Sequence, residues 1–498
     1  VNVLSIVVFF PLLVAAVLLA LPRVSDRSVR WAWISASAVE VLLVVGLWLA
    51  YPRSGAQFAF EVNRRWIPSV NAGYHVGVDG LSLPLVALST VLFLACAIYS
   101  VRETRRVRSY AALFLVLETV CLGLFVSLDL ILFFVFFDLS IVAMYFVIAG
   151  WGHRDAARAA LKFFLYTFLG SLALLIGFIG LYLAASPHTF DIVELTRQNP
   201  LAGKGLAAGL ILAALGLGLA IKTPTVPFHT WLPPAHTEAP AAGSAILAGV
   251  LLKMGTYGFV RIVMPVLPET WRRYAMVFVV VGVVSVVYGA LVALAQRDFK
   301  RMIAYTSVNH MGYVILAVGA AGVLASSDAQ ARDLAVTGAV TQMVSHGLIT
   351  GALFLLSGAL YERGGTYEMA SYSGLAAQAP RFAGLTGLAA FASLGLPGFS
   401  GFIAEFQIFT GSLGGVPVAT AVAFLGILIT AALFLLALQR VLLGEFRSPN
   451  GPFRDLTVPE TASITPLMVL AVVIGVFPRF LLDLIEPAAR TVNALLAG

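Results

Sequence analysis

Only 11% of the 498 residues are charged, and only two are cysteine. An ordinary soluble domain carries about a quarter of its residues as charges, so a water-exposed surface is excluded as the main boundary of this chain. Cys96 and Cys121 each stand inside an apolar run without CxxC spacing, which excludes a disulfide framework and an iron–sulfur cluster held by the chain. A GxGxxG after a strand and a GxxxxGK[ST] loop are also missing, so neither dinucleotide chemistry nor ATP hydrolysis is visible. The histidines lack a cysteine or a third close ligand, against zinc. No cofactor and no metal are expected in this chain. The net charge of +7 does not indicate nucleic acid, because Lys and Arg lie in short pieces between apolar runs rather than along one face.

What the chain has is apolar sequence, 60% of it. Apolar runs of roughly 20 residues recur, each long enough to cross about 30 Å of hydrocarbon as a helix. Apolar length and flanking charge predict an all-α polytopic membrane protein of about fourteen helices. They fall at 3–22, 31–51, 81–101, 109–127, 128–150, 159–184 and 204–227, then at 241–266, 273–295, 300–325, 334–361, 382–413, 416–443 and 463–485. The first run lacks a basic leader and a cleavage pattern and reads as a span, not a signal peptide. Odd-numbered loops hold most of the Lys and Arg, with blocks at Arg102, Arg105, Arg106 and Arg108 and at Arg297, Lys300 and Arg301. The excess of basic loops on the cytoplasmic side predicts that both termini face outward.

Two spans are interrupted. The seventh contains Lys222-Thr-Pro-Thr-Val-Pro227 and the twelfth Gly395-Leu-Pro-Gly-Phe-Ser-Gly401. Proline removes a backbone donor and clashes with the preceding turn, so the freed groups must meet protein or water, which lipid cannot supply. Breaks in corresponding helices suggest two inverted five-helix repeats, helices 4–8 and 9–13, around a path near the midplane. The expected division is an N-terminal segment 1–108, a first repeat 109–266, a second repeat 267–443 and a C-terminal segment 444–498. The plainer reading is that Pro and Gly are common in membrane helices.

Ionisable groups inside spans cost at least about 2.5–3.5 kcal/mol each at a helix centre, and six stand out: Asp138, Lys222, Lys253, His310, His346 and Glu405. Asp138, set among phenylalanines, needs a partner, and Lys222 is its natural counter-charge. A buried lysine sheds its proton more readily and a nearby carboxylate restores its hold, so shifting the partner switches the lysine. A static ion pair is the alternative. Lys253 lacks an obvious partner and suits a relay, or else snorkels to an interface. His310 and His346 suggest a hydrated polar axis, or are ordinary hydrogen-bonded core histidines; haem ligation is a remote third reading. Glu405, flanked by Phe402, Phe406 and Phe409, suits a terminal donor or a capping carboxylate. His229 and His236 are possible proton-entry residues or loop structure. Glu40 has no evident partner, and Glu118 is a candidate to face Asp138.

These residues stand in specific motifs: His75-Val-Gly-Val-Asp-Gly-Leu-Ser-Leu-Pro84, Ile221-Lys-Thr-Pro, His229-Thr-Trp-Leu-Pro-Pro-Ala-His236, Leu252-Lys-Met, Asp298-Phe-Lys-Arg through His310-Met-Gly312, Gln342-Met-Val-Ser-His-Gly347 and Phe402-Ile-Ala-Glu-Phe406. Through them nearly the whole chain resembles the proton-translocating antiporter-like subunits of NADH-quinone oxidoreductase (complex I). The likeness is to the subunit M type of bacteria, counterpart of mitochondrial NADH dehydrogenase subunit 4.

The resemblance implies fourteen helices with the inverted repeats, a Lys222 pair with the fifth-helix acid, a hydrated line through Lys253, His310 and His346, and Glu405 at its end. It implies a bacterial cytoplasmic membrane, neighbouring antiporter-like subunits as partners, and FMN, iron–sulfur clusters and quinone in other subunits. Quinone reduction elsewhere then drives the switching. The family usually has glutamate where this chain has Asp138, one methylene shorter. A multisubunit cation/proton antiporter is the competing reading within the fold, and Glu405 favours subunit M because sister subunits tend to carry lysine there.

Overall fold

The computed structural model describes residues 2–21, 23–52, 57–324 and 327–497. The helix ends expected at 22 and 325 lie outside the described residues. Helix starts obey capping chemistry. Asn2, Ser25, Asp191 and Asp328 each turn a side-chain oxygen onto an unpaired N–H of a first turn, and Asp129 accepts from both Ile131 and Leu132. Between such polar stops the apolar runs coil into helices that satisfy their own backbone, as lipid requires.

α1 (Val3–Ala20) and α2 (Asp26–Ala50) pack beside each other, succeeded by an antiparallel ribbon of β1 (Ala59–Ile67) and β2 (Ala72–Val78), then α3 (Leu83–Tyr99). α4 (Val107–Val126), α5 (Leu130–Trp151), α6 (Ala156–Ala184), the short α7 (Ile192–Gln198) and α8 (Gly205–Lys222) come next. After the first break lies α9 (Leu232–Glu238). α10 (Ala241–Ile246), α11 (Leu252–Gly258) and α12 (Met264–Val266) are one span joined by π turns at Leu247–Leu251 and Phe259–Val263. The chain continues through α13 (Pro268–Leu294), α14 (Phe299–Leu324) and α15 (Ala329–Gly364) to α16 (Leu375–Gln378). The second break separates α17 (Pro380–Ser393) from α18 (Ser400–Leu413). α19 (Pro417–Leu442), α20 (Val458–Val476) and α21 (Arg479–Ala497) complete the order.

Thirteen of these helical spans, among the described residues, are long and apolar enough to cross a membrane. The half-helices α17 and α18 together supply the interrupted one, in keeping with about fourteen. The α10–α12 span and α15 are enclosed on all sides and α14 almost so, whereas α1, α2 and α19 turn large apolar side chains such as Leu49 and Val418 outward. Lys253, His310 and His346 therefore lie on the most enclosed helices, whereas Lys222 ends α8, which turns Leu206 and Leu210 outward.

Three features differ from the sequence reading. The long second loop is no plain loop but the β1–β2 ribbon, turned at Asn71 in the left-handed region (φ 50°). The last span stops at Val476, because Pro478 interrupts the run read as 463–485. Beyond Pro478 lies α21, whose buried Leu481, Leu484, Ile485, Ala489, Val492 and Leu496 recur at helical spacing on one face. Arg272 caps its end by donating to Leu496 O and Ala497 O. Finally, α8 ends at Lys222 rather than running on to Pro227.

Candidate functional site: a buried line of cations, histidines and an acid

The first break is held by protein groups. Past Lys222, Pro224 brings no N–H, and the chain leaves the helix. Trp231 Nε1 donates to Ile221 O at 3.0 Å, and Val226 N–H donates to Ser285 Oγ at 3.0 Å. Side chains thus take up one carbonyl at the end of α8 and one amide of the segment that follows it. At the second break Gly395 takes φ +76° and Gly398 φ +96°. A Cβ on Gly395 would lie 2.4 Å from Glu405 Oε2, so this glycine lets the backbone close over the carboxylate.

Lys222, at the last turn of α8, is buried with its ammonium 2.9 Å from Ser140 Oγ and 4.8 Å from the centre of the Phe137 ring. Asp138 does not pair with it. The acid is only half-buried, its Oδ1 has no hydrogen-bond partner, and it lies beside Ser171 of α6. Of the two polar residues on that turn of α5, it is Ser140 rather than Asp138 that touches the lysine. Asp138 and Ser140 sit about 200° apart around α5, and the shorter acid does not bridge that difference.

Thr223 packs against Gly255, where a Cβ would come within 2.4 Å of Thr223 Oγ1. This close approach sets the end of α8 against α11, which carries Lys253. Lys253 is wholly enclosed; its Nζ donates to Ala248 O at 2.6 Å, a carbonyl of the first π turn, and meets His346 Nδ1 at 2.6 Å. The π turn widens the helix and frees that carbonyl for the ammonium. The partner that the sequence around Lys253 did not reveal comes from α15, and the side chain does not snorkel outward.

The line continues into α14 and α18. The His346 and His310 rings lie 5.4 Å apart, Gln342 Nε2 meets His310 Nδ1 at 3.2 Å, Ser393 Oγ meets His310 Nε2 at 3.2 Å, and Glu405 Oε1 lies 3.6 Å from His310 Nδ1. His310, His346, Ser393 and Glu405 share a void of ≈ 10 Å³, at the lower limit for one water. A haem macrocycle does not fit there. Of the phenylalanines that flank Glu405, Phe406 points outward at 58% exposure, and the carboxylate looks toward His310 and Gly395.

The structure brings Lys253, His346, His310 and Glu405 into one contact series and places Lys222 with Ser140 at the neighbouring helix end. His229 stands apart, edge-on to Tyr288 at 5.1 Å, while His236 stacks on Phe354 at 4.5 Å with neither ring nitrogen bonded. Glu118 does not face Asp138; it accepts from Ser37 of α2 at 3.1 Å and lies near Glu40. Residues not foreseen are Ser140, Gln342 and Ser393. Their polarity inside apolar spans was the available signal, weak because hydroxyls and amides are cheaper to bury than charges.

A family model described as NADH:quinone oxidoreductase/Mrp antiporter, TM, matches residues 127–430. NADH-quinone oxidoreductase subunit M of Rickettsia conorii is 38% identical over 491 residues, covering 97% of this chain and 96% of that protein. The chain belongs to this antiporter-like family. In the solved respiratory complex I from Thermus thermophilus with bound NADH, a chain 31% identical matches with a TM-score of 0.89, covering 99% of this chain and 100% of that one. A chain of the Mrp complex from Dietzia sp. DQ12-45-1b shares the fold at a TM-score of 0.84 and 23% identity, over the full length of both. As in its relatives, the many apolar helices make this family member a multi-pass membrane protein.

Proposed function

We propose that this chain moves protons across the membrane as the M-type subunit of an NADH-quinone oxidoreductase, with quinone reduction elsewhere in the complex driving transfer along Lys222, Lys253, His346, His310 and Glu405. The observation that carries the reading is the series of contacts from Lys253 through His346 and His310 to Glu405, all four side chains buried. Each member can hold or pass a proton, and no lipid reaches them. Asp138 acts on Lys222 through space rather than by contact, and its approach or retreat tunes how firmly the lysine holds its proton. FMN, iron–sulfur clusters and quinone belong to other subunits. The basic loops face the cytoplasm of a bacterial cell, both termini face outward, and the neighbours are other antiporter-like membrane subunits.

The test is to purify the chain by mild-detergent pull-down from its native membrane and assay NADH-dependent quinone reduction together with flavin and iron–sulfur spectra. Co-purification of these activities with proton uptake supports the reading. Recovery of other antiporter-like membrane chains alone, with sodium-dependent exchange, replaces it by a multisubunit cation/proton antiporter, which the shared fold also supports.

A further inference from the structure

Lys300 opens α14, yet it is no surface residue: its side chain is wholly enclosed. A cation in the first turn of a helix meets the positive end of the helix dipole, and removing an ammonium from water adds a desolvation penalty. Neighbours hold it there. Nζ donates to Ala239 O at 2.5 Å and to Tyr367 Oη at 3.3 Å, and it lies 5.0 Å from the centre of the Tyr367 ring. Ala239 caps α9, the helix that carries His236.

On the inner side, His236 has two buried ring nitrogens without partners. Burial, then the charges of Lys300 and Lys253, hold its imidazole well below the usual range. His236 therefore sits within the fields of both lysines, at the foot of the line from Lys253 to Glu405. On the outer side, Tyr367 Oη meets His153 Nε2 at 3.1 Å. His153 and Tyr367 line a cavity of ≈ 380 Å³ together with Arg102, Arg105, Tyr361 and Glu362. The arginines mark it as opening on the face of the basic loops. Burial, then Lys300 and Arg105, bring His153 down to about 4, so near neutral pH it is an uncharged imidazole with one donor and one acceptor nitrogen. Such a ring passes a proton on rather than keeping it.

We propose that Lys300 is the entry group of the proton line, receiving protons from the basic-face cavity through His153 and the Tyr367 hydroxyl and delivering them by way of His236 to Lys253. The inference rests on the proton-line function proposed for this chain. In the first step a proton taken up by His153 leaves Nε2 for Tyr367 Oη as the tyrosine gives its own hydroxyl proton to the neutral Lys300 amine. The hydroxyl is restored, and only N–H and O–H bonds change. The ammonium then caps α9 until its proton moves inward.

The bland alternative is that Lys300 only caps α9, and arginine separates the two. Lys300→Arg keeps the charge and the donors but cannot release a proton near neutral pH. In the purified complex reconstituted in vesicles, the rate of proton translocation should fall by about 10²-fold or more in Lys300→Arg as well as in Lys300→Gln, the scale of a lost proton-transfer group. Tyr367→Phe, which leaves the cap in place, should also slow translocation. Wild-type translocation in Lys300→Arg or in Tyr367→Phe overturns the proposal. Lys253→Ala is measured beside them: if it too translocates normally, the whole line is wrong rather than its entrance alone.

Discussion

The break after Lys222 and the break before Ser400 solve the same problem, unpaired backbone within the membrane layer, with different materials. The first is dry. An indole and a serine hydroxyl take up the freed groups, and the lysine rests on Ser140 and the Phe137 ring. The second is made by glycines in the left-handed region, and it folds over an acid that shares a water-sized void with two histidines. One break thus presents a cation held by a hydroxyl and a ring face, the other an acid beside an imidazole and room for a water. The same device, a broken helix, thus sets a cation at one place and an acid at the other.

The largest effects should come from removing the charges. Lys222→Ala and Glu405→Ala should each leave the complex assembled and cut quinone-coupled proton pumping by about tenfold or more, read as acidification in vesicles. Equal loss in both confirms one line through both breaks, while loss in only one separates them into independent paths. Next, Gly395→Ala tests the closure over Glu405. The left-handed conformation costs an alanine about 1–2 kcal/mol, and the new methyl displaces the carboxylate. Pumping should drop several-fold at unchanged assembly, whereas Gly384→Ala, where the added methyl meets open space, should leave it unaltered.

Smaller changes sharpen the dry break. Ser140→Ala strips Lys222 of its hydroxyl partner, and about 1–3 kcal/mol of unmet hydrogen bonding should appear as a lower thermal midpoint. Asp138→Glu restores the missing methylene and should bring the acid toward Lys222, holding pumping at or above the parent rate. A strong fall would mean that the separation of acid and lysine is itself required.

The smallest effect lies outside the membrane layer. His75 is clasped between Asp191 at 2.6 Å and Glu61 at 2.7 Å. Burial opposes its charge, but these two carboxylates outweigh it and raise its affinity for a proton above the usual value. A raised folded-state pKa means that this stabilisation is fully present below the unfolded value of about 6.5 and is lost as pH rises through the folded one. Hydrogen exchange of the β1–β2 ribbon should therefore accelerate across that window in the parent chain and lose this dependence in His75→Gln.

Much of this was legible in the sequence. Apolar length fixed the spans, because every run long enough to cross must form a helix to satisfy its backbone in lipid. The helix-breaking prolines and glycines marked both interruptions, and the expense of burying charge singled out Lys222, Lys253 and Glu405. The motifs around them named the family. Less legible were residues whose meaning depends on what lies across from them. Lys300 reads as one member of a basic loop until α9 and Tyr367 are seen to cover it. Ser140 reads as an ordinary helix serine until α8 delivers Lys222 to it.

The sequence by itself determined that this is a multi-pass membrane protein with two broken helices and several ionisable groups held away from lipid, since these arise from one-dimensional patterns of polarity. Only the tertiary structure decided that Lys253 meets His346, that Asp138 faces Ser171 instead of Lys222, and that α21 turns an apolar face inward rather than crossing. The reason is geometric. Which groups share a proton depends on separations of a few ångströms between helices far apart in the chain, and no periodicity along one helix fixes the rotation of another against it.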